Sequence, residues 1–143
     1  MHIYPQPSAS QAIELLTACG LPTSDLKPEH FEHFLGCGGE AHLEGLVGLE
    51  IHRPDGLLRS LAVTETARHQ GCGKALVAGI EALARSQHLR TLYLLTDTAE
   101  AFFERLGYTR VARETVPLGI QQTEEFSSLC PDDAAVMKKE LER

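Results

Sequence analysis

Between Leu57 and Leu95 an apolar run, a polar turn holding two glycines, a helically spaced stretch and a second apolar run follow one another without a break. Leu57 to Val63 reads as a strand, Ala75, Leu76, Val77, Ile80, Leu83 and Ala84 repeat at helical spacing from Gly73 to about Arg85, and "TLYLL" at 91–95 is a continuous strand core. Strand, helix, strand is a crossover, so the two strands pair in parallel. Just upstream, "HLEGLVGLEIH" at 42–52 has the length and apolar density of a strand, although its two glycines weaken it. Only Arg53 to Gly56, "RPDG", separates it from Leu57, which makes an antiparallel hairpin. A hairpin feeding a crossover demands an α/β chain with a mixed sheet, antiparallel early and parallel in the middle.

The flanks supply the rest. Ser8 or Ser10 caps a helix carrying Ala12, Ile13, Leu15, Leu16 and Cys19 on its apolar positions, stopped by Gly20 and Pro22. "EHFEHFL" is a short helical piece, and the glycines of "GCGGE" at 36–40 mark a turn between two extended segments. Downstream, Thr98 caps a helix "AEAFFERL" closed by Gly107, "YTRVAR" is a strand, Glu114 to Pro131 is less regular, and a last strand lies around Ala134 to Lys139.

A length of 143 residues suits one domain, 1–143, with a single core. The balance of 13 Lys+Arg against 20 Asp+Glu, a net charge of −7 without any basic block, argues against nucleic acid and anionic membrane as partners. The N-terminal stretch has no charged and apolar leader pattern, so the expected location is the cytoplasm. Cys19, Cys37, Cys72 and Cys130 are irregularly spaced with no C-x-x-C, which suggests buried or idle thiols. His30 and His33 lie three apart but lack a third ligand at sensible spacing, so no metal is expected.

The junction "ARHQGCGKAL" is the chemically informative part. A helix N-terminus has unpartnered N–H groups and a partial positive charge, and Gly71 and Gly73 let an anion approach closely. Two familiar phosphate fingerprints fail, because a P-loop needs glycine at Arg68 and a dinucleotide fold needs glycine at Leu76. What remains is Arg68-x-x-Gly71-x-Gly73 between a strand and a helix.

In the order "LLRSLAV…ARHQGCGKAL…TLYLLTDTAEAFFERLGY" the chain resembles the GCN5-related N-acetyltransferase (GNAT) superfamily over most of its length. The resemblance implies the GNAT fold: a mixed central sheet of six to seven strands, flanking helices, and a splayed pair of parallel strands. It implies acetyl-CoA as co-substrate, with pantetheine against the backbone of Leu61, Ala62 and Val63. The pyrophosphate would lie on the amides of His69, Gln70, Gly71, Cys72, Gly73 and Lys74. Arg68 and Lys74 would add charge at the rim, and Thr96 and Phe102 would complete the cofactor site. The tail "QQTEEFSSLCPDDAAVM" is similar to those of short bacterial N-acetylglutamate synthase-like enzymes and of acetyltransferases found with arsenic-resistance genes. There Asp132 and Asp133 stand where serines are common. Ser127, Ser128 and Cys130 would line the acceptor site, unless the tail only closes the sheet or a dimer contact.

The family's usual glutamate base and tyrosine acid are matched here by Leu57 and Phe103, so neither standard group is present. Tyr108 reads as a core residue. If the hairpin turn is Arg53 to Gly56, His52 faces Leu57 and Glu50 lies opposite Arg59. Period two then places Leu57, Arg59 and Leu61 on one face, and because Leu57 matches the family's glutamate position, the resemblance implies that this face is turned toward the acceptor. Arg59 is expected to bind a substrate carboxylate and Glu50 to hold or deprotonate its ammonium, with a structural ion pair as the competing reading. The backbone amide around Leu61 would polarise the acetyl carbonyl. The superfamily transfers directly, and no histidine lies near Cys130 in sequence to support an acyl-cysteine. The expected activity is acetyl transfer to the amine of a small, amino-acid-like acceptor. A detoxifying acetyltransferase of an amine-bearing toxicant and a non-catalytic acyl-CoA sensor are the alternatives, and a homodimer is left open.

Overall fold

The computed structural model describes residues 2–21, 23–39, 42–68, 70–123, 126 and 134–141. Its helices and strands are β1 (Ile3–Pro5), α1 (Ala9–Ala18), β2 (Phe34–Gly39), β3 (His42–His52), β4 (Asp55–Val63), α2 (Cys72–Ser86), β5 (Thr91–Thr96), α3 (Glu100–Arg105), β6 (Thr109–Arg110), α4 (Leu118–Gln121) and β7 (Ala135–Glu140). The strands form one sheet in the order β1-β2-β3-β4-β5-β7-β6. Only β4 and β5 run parallel, and every other neighbouring pair is antiparallel. This is the mixed sheet with a crossover that the hairpin and helix pattern demands.

Alternation along the strands sends side chains to two faces. Val47, Leu49, Leu58, Leu92, Leu94 and Met137 meet Leu76, Val77 and Ile80 of α2 on one face. On the other, Leu46 and Ala62 pack under α1 and the 3₁₀ turn Pro28–His33. Beside them Leu57, Tyr93 and Val136 pack with Ile120 and Phe126. Ser8 caps α1 by accepting from Gln11 N. Gly107, at φ +97°, ends the turn after α3. A buried Glu81 ties α2 to the far strands, accepting from Tyr108 Oη at 2.9 Å and Lys139 Nζ at 3.1 Å.

Three local expectations are corrected. Gly36 to Gly39 of "GCGGE" are not a turn, because Phe34 to Gly39 form β2 and pair with β3, and Glu40 lies outside the described residues. The glycines here and in β3 make room for side chains. A Cβ on Gly36 would lie 2.8 Å from Leu43 Cδ1, on Gly45 2.4 Å from Cys72 Sγ, and on Gly48 2.4 Å from the Phe34 ring. Thr98 does not cap α3; Thr96 Oγ1 accepts from Ala99 N at 3.0 Å. The β3–β4 turn is only Arg53–Pro54, with His52 paired to Asp55, Glu50 to Leu57 and Gly48 to Arg59.

Two features of β4 shape the functional site. Its ladder to β5 joins Asp55, Gly56 and Leu57 to Thr91, Leu92 and Tyr93 and then ends, so the two strands part beyond Leu57. Its register with β3 slips between Gly48↔Arg59 and Leu46↔Ala62, and Ser60 adopts φ +61°. This is a β-bulge, which inserts one residue and re-aims those after it.

Candidate functional site

Along the part of β4 that has left β5 lies a cavity of about 540 Å³, floored by Leu61, Ala62 and Val63 and closed at one end by Gly71, Cys72, Gly73 and Lys74. Gly71 caps α2 in the left-handed region at φ +84°, and no atom lies within 4 Å of where its Cβ would stand. Ala75 N bonds Gly71 O, so the helix starts there. The N–H groups of Cys72, Gly73 and Lys74 find no partner among the described residues. Orphan donors at a helix start beside bare glycine are the donor set a pyrophosphate requires. Leu21, Leu61, Val63 and Phe102 make the wall largely apolar, which suits a pantetheine arm. The residues present therefore fit the diphosphate and pantetheine arm of CoA.

Most of the residues expected to hold the cofactor meet here. Arg68 lies at the rim, its Nε donating to Val63 O at 3.2 Å, and Phe102 forms the opposite wall, its ring 3.3 Å from where a Gly73 Cβ would be. Two do not meet it. Thr96 Oγ1 is engaged by Ala99 N just ahead of α3, and Thr98 lines the cavity in its place. Gln70 turns its amide back on Thr66 O at 2.8 Å and braces the loop. His69 lies outside the described residues, as do Ser127, Ser128 and Cys130. Cys19 and Leu21, from the end of α1, complete the wall and carry no sequence signal for it.

The bulge changes the expected alternation. Leu57 and Arg59 face α4 and the 3₁₀ turn, but the extra residue at Ser60 sends Leu61 to the α2 face, toward the cavity. Leu61 and Arg59 are thus on opposite faces, which corrects the expectation that they share one.

On the Arg59 side lies a second pocket, of about 300 Å³, whose walls include Asp25, Lys27, His30, Glu50, His52 and Gly119. The hairpin turn is two residues shorter than expected, and a shift of two preserves the face. Glu50 is therefore diagonal to Arg59 rather than opposite, and the ion pair forms at 2.6 Å. Arg59 is 2% exposed, and its guanidinium also grips both oxygens of Asp25 and donates from Nε to Ser60 Oγ at 3.0 Å. This corrects the expectation that its fork binds a substrate carboxylate: the fork is turned on Asp25 and Glu50. One guanidinium between two carboxylates leaves the cluster with a net charge of −1.

Glu50, with its side chain 14% exposed, holds its proton far more weakly than an ordinary glutamate. Burial pushes its pKa up, but hydrogen bonds from His52 and Arg59 and the charge of Arg59 overcome that and bring it to about 2. His52 Nε2 stands 3.3 Å from Glu50 Oε1. Asp25 and His52 escaped the sequence reading. Asp25 reaches the site only through a fold contact 34 residues distant, whereas His52, two residues from Glu50 on one strand face, was legible by period. His30 acts locally, its Nδ1 accepting from Lys27 N at 2.9 Å. Tyr108 is buried against Phe103 and Glu81, and burial with the neighbouring carboxylate raises its phenol far above the usual range.

A family model described as an acetyltransferase (GNAT) domain matches residues 31–110. An amino-acid acetyltransferase of Ectopseudomonas mendocina is 42% identical over 62 residues, 43% of this chain and 14% of that protein. The uncharacterized protein YwlB of Bacillus subtilis is 30% identical over 115 residues, 78% of this chain and 76% of that protein. N-acetylglutamate synthase from Neisseria gonorrhoeae, in complex with coenzyme A and N-acetyl-glutamate, aligns with a TM-score of 0.85 at 18% identity, over 99% of this chain and 35% of that one. A Mycobacterium tuberculosis protein in complex with CoA aligns with a TM-score of 0.75 at 19% identity, over 99% of this chain and 100% of that one. The chain thus spans 14% of the first curated relative and 35% of the synthase. At such identities the structural likeness speaks for the fold.

Proposed function

The chain belongs to the GNAT acetyltransferase family, and from that premise we propose that it transfers acetyl directly from acetyl-CoA to the amine of a small, amino-acid-like acceptor. One observation carries the reading: a cavity opens where β4 parts from β5, with unpartnered amides of α2 at one end. The backbone of Leu61 to Val63 would run beside pantetheine, and the amides from Gly71 to Lys74, with the Arg68 and Lys74 charges, would receive the pyrophosphate. The N–H groups around the bulge at Ser60 and Leu61 would polarise the acetyl carbonyl.

The acceptor would occupy the second pocket. Its net negative cluster of Asp25, Glu50 and Arg59 favours an ammonium, and Lys27 offers a cation for a carboxylate. Arg59 then acts as a positioning residue that holds both carboxylates in place. The amino-acid acetyltransferase and the N-acetylglutamate synthase among the relatives support this acceptor class. The test is release of free CoA thiol from acetyl-CoA across a panel of amino acids and simple amines, with acetyl-CoA binding followed by calorimetry. Turnover of an amino acid is the expected result. Binding without turnover of any amine would instead assign an acyl-CoA sensor.

A further inference from the structure

Regular alternation sends neighbouring side chains of a strand to opposite faces, so consecutive residues are not placed to bond side chain to side chain. Arg59 and Ser60 do so: Arg59 Nε donates to Ser60 Oγ at 3.0 Å. Ser60, at φ +61°, turns back toward the Arg59 face, and Ser60 and Leu61 together oppose Val47 of β3. Leu58, Leu61 and Val63 then pack on the α2 face, and Leu57 and Ala62 on the other. In an unbulged β4, Ser60 would point toward α2, and Leu61 would leave the cavity floor for the Arg59 face. The hydrogen bond therefore belongs to the bulged strand alone and selects it.

The donor is held firmly. Arg59 Nη1 donates to Asp25 and to Glu50 Oε2 at 2.6 Å, and Nη2 donates to Asp25 Oδ1 at 2.9 Å. A planar guanidinium pinned along that edge has the direction of its Nε–H fixed as well. Ser60 is 9% exposed, in a backbone conformation that glycine or asparagine adopts more readily. A serine in that strained, buried position is explained by what its hydroxyl holds rather than by backbone ease. We infer that Arg59, through Nε on Ser60 Oγ, is the clamp that sets the β4 bulge and so aims its N–H groups at the acetyl carbonyl, with Asp25 and Glu50 orienting the clamp. The inference rests on the function proposed above, which sets those N–H groups against the carbonyl, and deepens it. The bulge follows Leu57, the last residue of β4 paired to β5, where the strand edge lies open to a ligand. Arg59 and Ser60 are positioning residues that act through the peptide joining Ser60 to Leu61. Aim matters because an N–H donor weakens steeply below about 120°, and a misplacement of about 1 Å costs about 10²-fold in rate.

Three variants cut the link in different ways. Ser60→Ala removes the acceptor, and Ser60→Gly removes it while relieving the φ +61° backbone. Arg59→Lys keeps a cation between the two carboxylates but has no Nε–H. Each is expected to lower kcat by about 10²-fold, with the Kd of CoA held within about threefold by its pyrophosphate and pantetheine contacts. The Arg59→Lys/Ser60→Ala double variant should be no slower than the slower single one, because both changes break one contact. A serine needed only for the fold predicts instead that glycine, which suits this backbone, keeps the rate. A spectroscopic readout stands apart from turnover. In protein labelled with ¹⁵N-leucine the Leu61 amide proton should shift when acetyl-CoA replaces CoA, and all three variants should lose that response. The clamp is overturned if Ser60→Gly keeps kcat within about threefold of the wild type, or if the two losses add in the double variant. It is equally overturned if the wild type lacks the Leu61 response or Ser60→Gly retains it. A wild type that acetylates no amine yet shows the Leu61 response overturns the proposed function, and loss of that response in the variants then still supports the clamp.

Discussion

Replacing Glu50 with glutamine removes one charge from a buried cluster while keeping its shape, and the pKa of Glu50 sets the size of the effect. Lowering a carboxyl from 4.5 to about 2 corresponds to roughly 3 kcal/mol of preference for the ionised form in the folded chain. Residual solvent contact of the carboxylate reduces this to about 2 kcal/mol. Because the folded value lies below the unfolded one, the contribution is complete above about pH 4.5 and is lost as the pH falls toward 2. Glu50→Gln should therefore cost about 2 kcal/mol at pH 7, or about 4–8 °C in Tm. The gap to the wild type should narrow below pH 5 and close near pH 2. Urea denaturation at pH 7, 5, 4 and 3 measures it, with an unchanged m-value confirming that the folded state is the one altered. A gap that stays constant from pH 7 to 3 would refute the electrostatic account. Asp25 remains on Arg59 in this variant, so the arginine keeps a partner.

Arg59→Met leaves Asp25 and Glu50 facing each other without a counter-charge and should cost about 3–5 kcal/mol in urea unfolding, well beyond the glutamine variant. Gly73→Glu places a side chain toward Phe102 and a like charge where the pyrophosphate would lie; calorimetry should find no acetyl-CoA binding, and the roughly 2.7 kcal/mol of stabilisation expected at a hundredfold excess over Kd should disappear. Tyr108→Phe removes a buried bond to Glu81 and should lower stability by about 1.5–3 kcal/mol while changing kcat less than threefold, since the phenol is pinned in the core. Gly48→Val would drive methyls into the Phe34 ring and should cost at least about 1–3 kcal/mol in thermal unfolding.

Period and punctuation in the sequence determined the α/β class, the β3–β4 hairpin, the crossover through α2 and the glycine-rich helix start that faces the cavity. These are local properties: apolar spacing, a glycine free to enter the left-handed region, and a turn short enough to reverse the chain. Even a misread turn left Glu50 and Arg59 on one face, because the error was two residues and the strand period is two. Tertiary structure decided the rest. The glycines of β2 read as turn signals and those of β3 as weak points in a strand until the facing Phe34, Leu43 and Cys72 side chains explain them as space. Alternation cannot foresee the Ser60 bulge, because one inserted residue reverses the face of everything after it, and that reversal separates Leu61 from Arg59. Asp25 has no sequence pattern linking it to Arg59. Only folding brings it across 34 residues to a buried guanidinium, and burial makes the pairing strong enough to turn an apparent substrate fork into the support of Glu50 and His52.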